Sequence, residues 1–192
     1  VPAGVVVIAL MAVTYCRIPC WKNGVVLFEN AVRATNGHVM ARFCLADAYI
    51  DSKRIADATK QVETAVKDKP DFTEGLNGLA FLLTKQGKTS QAIAMVKKAI
   101  KINPRLAAAY NNMALILSQQ GKTDEAVECY MKALEIDPGY PAAQCGLGVI
   151  MMRQGNVEGA IPHFRDALMA NPDSAQAHYC MAVAMYSRRD FE

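Results

Sequence analysis

No block of five or six like charges occurs anywhere in these 192 residues. The 21 Lys and Arg stand against 18 Asp and Glu, a formal net charge of +3. A chain without a basic stripe lacks the electrostatic footprint of a nucleic-acid binder. No CxxC pair occurs among the six cysteines, Cys16, Cys20, Cys44, Cys129, Cys145 and Cys180. A disulfide framework belongs to a small, core-poor scaffold. With hydrophobic residues at 52%, these thiols read instead as small buried hydrophobes. Cys16 and Cys20 lie four apart, but two thiols without a nearby His or second Cys pair make a weak metal signal. Histidine is scarce: His38, His163 and His178 each stand alone, with no Cys or carboxylate at metal-ligand spacing. No convincing strand leads into a Gly-rich loop, so no phosphate cradle is expected. Nor does any nucleophile pair with a base. The sequence therefore predicts no catalytic residue, no metal and no cofactor.

What the chain has is a period of 34. Pro70, Pro104, Pro138 and Pro172 fall on it, as do Ala58, Ala92, Ala126 and Ala160. Ala65, Ala99, Ala133 and Ala167 form another series, and Ala46, Ala80, Ala114, Gly148 and Ala182 a third. Small residues at fixed places in such a period mark a helical solenoid. Each unit reads as two amphipathic helices joined at Lys53, Gly87, Gly121 or Gly155, and each closes near its proline. Lys53 is the exception among the glycines, so the first turn is expected to be looser or differently shaped. Ser90 and Asp124 are expected N-caps of second helices. Pro162 falls about a turn into a second helix; it is harmless if that helix starts at Glu158 or later, and kinking if it starts earlier. Asn36-Gly37 reads as a helix stop.

The boundaries that follow are an apolar stretch at 1–22, a lone helix at 23–38 packing on the first repeat, and repeats at 39–72, 73–106, 107–140 and 141–174. A half repeat at 175–192 completes them, and the chain reads as part of something longer at both ends. Residues 1–16 hold no charged side chain. The run is short of the ~20 apolar residues a membrane span needs. It lacks the polar face of a solenoid helix, and Trp21 and Lys22 sit where interfacial anchors belong. Two readings stay open: the end of a membrane helix, with its side of the membrane undecided, or a first helix of another repeat.

The repeats resemble the tetratricopeptide repeat. Asn111-Asn112-Met113-Ala114, Gly121, Asp124-Glu125-Ala126, Tyr130, Ala133-Leu134 and Asp137-Pro138 follow its consensus almost position for position. The resemblance implies an all-α superhelical solenoid of stacked antiparallel helix pairs, whose concave face holds a protein or peptide. Projecting inner positions of the first helices gives candidate partner-binding residues Phe43, Asp47, Asn77, Phe81, Lys85, Asn111, Leu115, Val149, Arg153 and Tyr179. The basic clamp by which some such modules hold chaperone C-termini is absent, because Phe43, Asp47 and Asn77 take its places. An acidic C-terminal tail is therefore not the expected ligand. The asparagine ladder of GlcNAc-transferase repeats is matched only at Asn112.

A second resemblance covers 1–35. There an apolar run followed by Tyr15, Trp21-Lys22-Asn23 and Leu27-Phe28-Glu29-Asn30-Ala31 is similar to the junction between membrane helix and repeats in polytopic glycosyltransferase-like proteins. The expected function is a non-enzymatic interaction scaffold, tethered to a membrane. The alternatives are a non-catalytic transferase tail presenting protein acceptors, or a module that self-associates through its uncapped C-terminal repeat.

Overall fold

The computed structural model describes residues 24–189, and among these the chain forms ten α-helices and no strand. They are α1 Gly24–Ala34, α2 Val39–Asp51, α3 Ile55–Asp68, α4 Thr73–Lys85, α5 Thr89–Ile102, α6 Ala107–Gln119, α7 Thr123–Ile136, α8 Pro141–Arg153, α9 Val157–Ala170 and α10 Ala175–Arg189. First helices begin at Val39, Thr73, Ala107, Pro141 and Ala175, and second helices at Ile55, Thr89, Thr123 and Val157. Both series step by the 34 of the sequence period. The readings placed on 1–22 lie outside the described residues. Among the described residues, no helix is long and apolar enough to cross a membrane.

The chain divides after Leu82 into two compact units. In the first, α2 packs on α1 and on α3. Its core holds Leu45, Ala46, Tyr49, Ala58, Val62, Ala65, Phe72, Leu76 and Leu79. Arg42 joins three of its segments. Its Nε donates to the Gly37 carbonyl at 2.9 Å, its Nη1 donates to Gln61 Oε1 at 3.2 Å, and Asp68 lies 3.9 Å away. In the second unit α6 pairs with α7, α8 with α9, and α8 also touches the first helices α6 and α10. The periodic alanines Ala92, Ala99, Ala126, Ala133, Ala160 and Ala167 are all at 0% exposure. A methyl at each of these places lets neighbouring helices approach closely, and no larger side chain has room. Ala182, the last member of its series, is exposed on α10.

The turns inside the pairs share one geometry. Gly121, at φ 77°, donates its N–H to the Ser118 carbonyl, and Lys122 N–H reaches back to Leu117. That pair of bonds closes a helix through a left-handed residue. Gly87 and Gly155 repeat it. The expectation of a looser turn at Lys53 is overturned: Lys53 takes φ 58°, its N–H bonds to Ile50 at 2.9 Å, and Arg54 N–H bonds to Tyr49 at 2.8 Å. A residue with a Cβ is strained there by roughly 1–2 kcal/mol. Side chains around it offset the strain. The Arg54 guanidinium lies 4.4 Å from the Tyr49 ring centre and bonds Asp57 at 2.7 Å, while Tyr49 Oη donates to Glu29 at 2.9 Å. Lys53→Gly should therefore raise stability by about 0.5–1 kcal/mol, the strain released less the entropy glycine adds to the unfolded chain. Equilibrium denaturation measures it, and an unchanged midpoint contradicts the strain.

The expected caps at Ser90 and Asp124 are also corrected. α5 and α7 begin two residues earlier than those caps imply, at Thr89 and Thr123, with Lys88 and Lys122 at the caps and no side-chain cap bond. The physical reason is the tight turn, in which the residue after the glycine both closes one helix and opens the next. Only Asn156, of the caps Arg54, Lys88, Lys122 and Asn156, accepts a cap bond there, from Gly159 N–H at 2.9 Å. At the other end of the repeats, Asn103, Asp137 and Asn171 are extended before their prolines. Each side chain accepts a backbone N–H from beyond the proline, at 3.0, 3.1 and 3.3 Å.

α9 begins at Val157, so Pro162 lies past its first turn. Its missing N–H leaves the Glu158 carbonyl without a donor in the helix, and both residues are exposed to water. Pro162→Ala should stabilise by about 2 kcal/mol, somewhat less than a mid-helix proline costs because the site is near the N-terminus. A thermal melt that does not rise would contradict it.

Candidate partner-binding surface

The first helices carry the inner positions, and the two units place them differently. In the first unit, Phe43 on α2 is half-buried. Its ring meets Phe72 edge-on at 5.4 Å and lies over Gly78, where an added Cβ would sit 2.9 Å from the ring. Phe43 thus contributes to packing as well as to the surface. Asp47, a turn further along α2, is exposed on the wall of an open cleft of about 280 Å³. Val25, Phe28, Cys44 and Ala48 line the same cleft, and Asp51 and Ser52 close it. Burial, and then the charge of Asp51, push the Asp47 carboxyl above its ordinary value. Asn77 and Phe81 on α4 are half-buried, and both are engaged with neighbouring groups.

In the second unit Lys85 is exposed at the end of α4, and Asn111 and Leu115 are half-buried on α6. Val149, Arg153 and Tyr179 come together. They line an open cleft of about 280 Å³ between α8 and α10, with Met152, Cys180 and Val183 beside them. Phe164 of α9 reaches it from below. Tyr179 is 71% exposed and Val183 38%, unusual for side chains of their size. Met152 and Val183 share the helical spacing of the inner positions. Phe164 and Cys180 carry no such signal, since both read as core. Phe164 is fully buried against Gly148, whose lack of a side chain makes room for the ring.

Burial makes the thiols here poor nucleophiles at neutral pH. Burial, with Cys180 nearby, pushes the Cys145 thiol up to about 11, and burial raises Cys180 as well. His163 is taken up in packing: its Nδ1 lies 2.6 Å from Gln144 Oε1, a carbonyl oxygen that accepts the ring N–H, and Gln144 Nε2 donates to the Pro138 carbonyl at 3.4 Å. Among the described residues, no group of three or more His, Cys, Asp or Glu is placed to hold a metal ion.

Family profiles match most of this half of the chain. A tetratricopeptide-repeat profile matches 107–140, a TPR-repeat profile 81–121, and a further tetratricopeptide-repeat profile 145–192. No curated protein matches the chain. Among solved structures, a thermophilic TPR protein of Thermus thermophilus is similar at a TM-score of 0.77 and 21% identity, over 92% of this chain and 96% of that one. MamA is similar at 0.60 and 24%, over 79% and 89%. YrrB, described as a TPR protein with an unusual peptide-binding site, is similar at 0.55 and 21%, over 81% and 80%. At these identities the structures speak for the fold alone. The family profiles between them cover more than half of the sequence, and the chain is a tetratricopeptide-repeat protein with an all-α solenoid fold.

Proposed function

We propose that this chain is a protein-interaction scaffold that holds a polypeptide on the inner faces of its first helices. The observation that carries the reading is the cleft between α8 and α10. Two neighbouring first helices bring Val149, Met152, Tyr179 and Val183 to one apolar opening with Arg153 at its edge. A concave, mainly apolar site with a few polar groups is what a peptide anchor requires. YrrB, of the same fold, is described as binding peptide at an unusual site, which lends the reading support by analogy.

The test is photo-crosslinking from position 179. A reactive phenylalanine analogue replacing Tyr179 should join covalently to a bound polypeptide, whose site is then read by mass spectrometry. An equivalent probe at exposed Met169 on α9 should not. Equal labelling from both positions would refute the assignment. We further propose a membrane tether through 1–22, supported by the absence of charge in 1–16. Removing 1–22 should abolish flotation with liposomes; unchanged flotation, or none with the full chain, would exclude the tether. A role as a transferase tail that presents acceptors rests on the resemblance of 1–35 and uses the same surface.

A further inference from the structure

We infer that the cleft between α8 and α10 takes an internal, acidic segment of a partner protein, with a bulky apolar side chain in the opening and an Asp or Glu against Arg153. This deepens the scaffold reading and rests on it.

Two independent observations carry it. The first is the distribution of charge in the second unit. The first helices α6, α8 and α10 contain no Asp or Glu. The end of α4 in this unit, Leu83 to Lys85, contains none either. Among the described residues, every carboxylate of the unit lies on the second helices α7 and α9 or in the loops, as with Glu125, Asp137 and Asp166. The bonds made by Lys122 and Lys132, to Glu125 and Glu135, stay on that second-helix side. Among the described residues, the layer that lines the cleft therefore carries cations and no anions.

The second observation is the state of Arg153. It is exposed, and among the described residues it has no ion-pair partner. Tyr130 lies near it, a phenol that burial keeps neutral. Its side chain borders the apolar wall of Val149, Met152 and Val183. A guanidinium at the edge of an apolar opening favours a carboxylate over a neutral group.

The spacing fits a peptide. Val149 and Arg153 are one turn apart on α8, about 6 Å along its axis. In an extended peptide, side chains two apart face the same way at about 6.6 Å; in a helical one, side chains four apart do so at about 6 Å. Either form presents an apolar and an acidic group together. The carboxylate is assigned to a side chain because a chain terminus needs several converging donors, and among the described residues Arg153 is the only cationic side chain lining the cleft.

Random linear peptides displayed with blocked C-termini, and a second library with free C-termini, should be selected on the full chain. Blocked peptides with Asp or Glu within about four positions of Leu, Ile, Met or Phe should be enriched. As synthetic acetylated amides they should lose about five- to tenfold in affinity by anisotropy when the acid is changed to its amide. Arg153→Gln should lose the same factor, and the two changes together no more than one alone. Arg153→Glu should prefer the peptide with Lys in place of the acid. Arg153 is exposed, so neither variant should unfold, and circular dichroism checks that. Bound peptide should also slow alkylation of Cys180, which lines the cleft, and leave Cys129 unchanged. Enrichment of neutral or basic peptides that still shield Cys180 overturns the acidic assignment and spares the scaffold reading. Enrichment only from the free C-terminal library, or independent losses from acid and Arg153, also overturns it. No enrichment and no shielding from either library overturns both.

Discussion

Phe164→Ala should lower the free energy of unfolding by about 3–5 kcal/mol. The ring is fully buried and sits in a cluster with Ala160, Ile161 and Ala184. Val149, Met152 and Cys180 pack on the same cluster from the cleft side. Removing the ring loses its transfer energy and leaves a cavity that the flanking helices close only in part. Gly148 makes the cavity worse, since it offers no side chain to collapse inward. Chemical denaturation with a fixed slope measures the loss. Phe164→Leu, which keeps most of the volume, should cost much less, about 1–1.5 kcal/mol. Equal losses from both variants would mean that the ring's fit, and not its bulk, is what matters. A loss below about 1 kcal/mol would contradict the burial of the ring. The variant also bears on the proposed site, because the floor beneath Val149 and Cys180 is this ring. Apolar anchoring should weaken in Phe164→Ala while the response to Arg153→Gln persists.

The packing was legible in the sequence because a solenoid repeats one contact many times. Ala92, Ala126 and Ala160 share a place in the period, and each turns out to be without exposed surface. The helix ends were harder. A three-residue turn leaves one residue to serve both helices, so the cap falls on Lys88 and Lys122 and not on the better capping residues beside them. Lys53 shows the same logic in reverse. Glycine is the residue best suited to the left-handed place, yet the two bonds of the turn form around a lysine because the ring of Tyr49 and the charges of Glu29 and Asp57 hold its neighbour Arg54. Tyr49 and Asp57 are near neighbours of Arg54 in the chain, but Glu29 is distant, and a reading of the repeat alone weighs none of these contacts.

The candidate surface was legible as a face and not as a site. Helical register assigns Phe43, Val149, Arg153 and Tyr179 to inner positions equally. What separates them is the residue opposite. Phe43 meets Gly78 and Phe72 and is drawn into packing. Tyr179 meets an opening and stays exposed. A side chain's partner across a helix interface depends on the size of residues one period away, and periodicity alone does not weigh size. The charge pattern needed no coordinates to count but needed them to interpret. Carboxylates absent from α6, α8 and α10 matter because those helices touch one another, α8 with both others.

Ala126→Phe should cost about 1–3 kcal/mol, the usual cost of overpacking. Ala126 is at 0% exposure on α7, which packs on both α6 and α8. A ring placed there must push two helices apart or leave its rotamer well, and a close-packed interior yields to neither cheaply. Helix propensity is too small to account for such a loss, since phenylalanine and alanine differ by only a few tenths of a kcal/mol to ~0.7. Glu128→Phe supplies the control: Glu128 is exposed on the same helix, and its change should stay within about 0.5 kcal/mol. Ala92→Phe and Ala160→Phe, one period to either side, should behave as Ala126→Phe does, because all three alanines are equally buried. In a solenoid each repeat is stabilised by its nearest neighbours. The damage from Ala126→Phe should therefore concentrate in amide exchange of α6, α7 and α8, leaving α10 the least affected of the second unit's first helices. A variant that unfolds at the wild-type midpoint would show that this face of α7 is not the buried one.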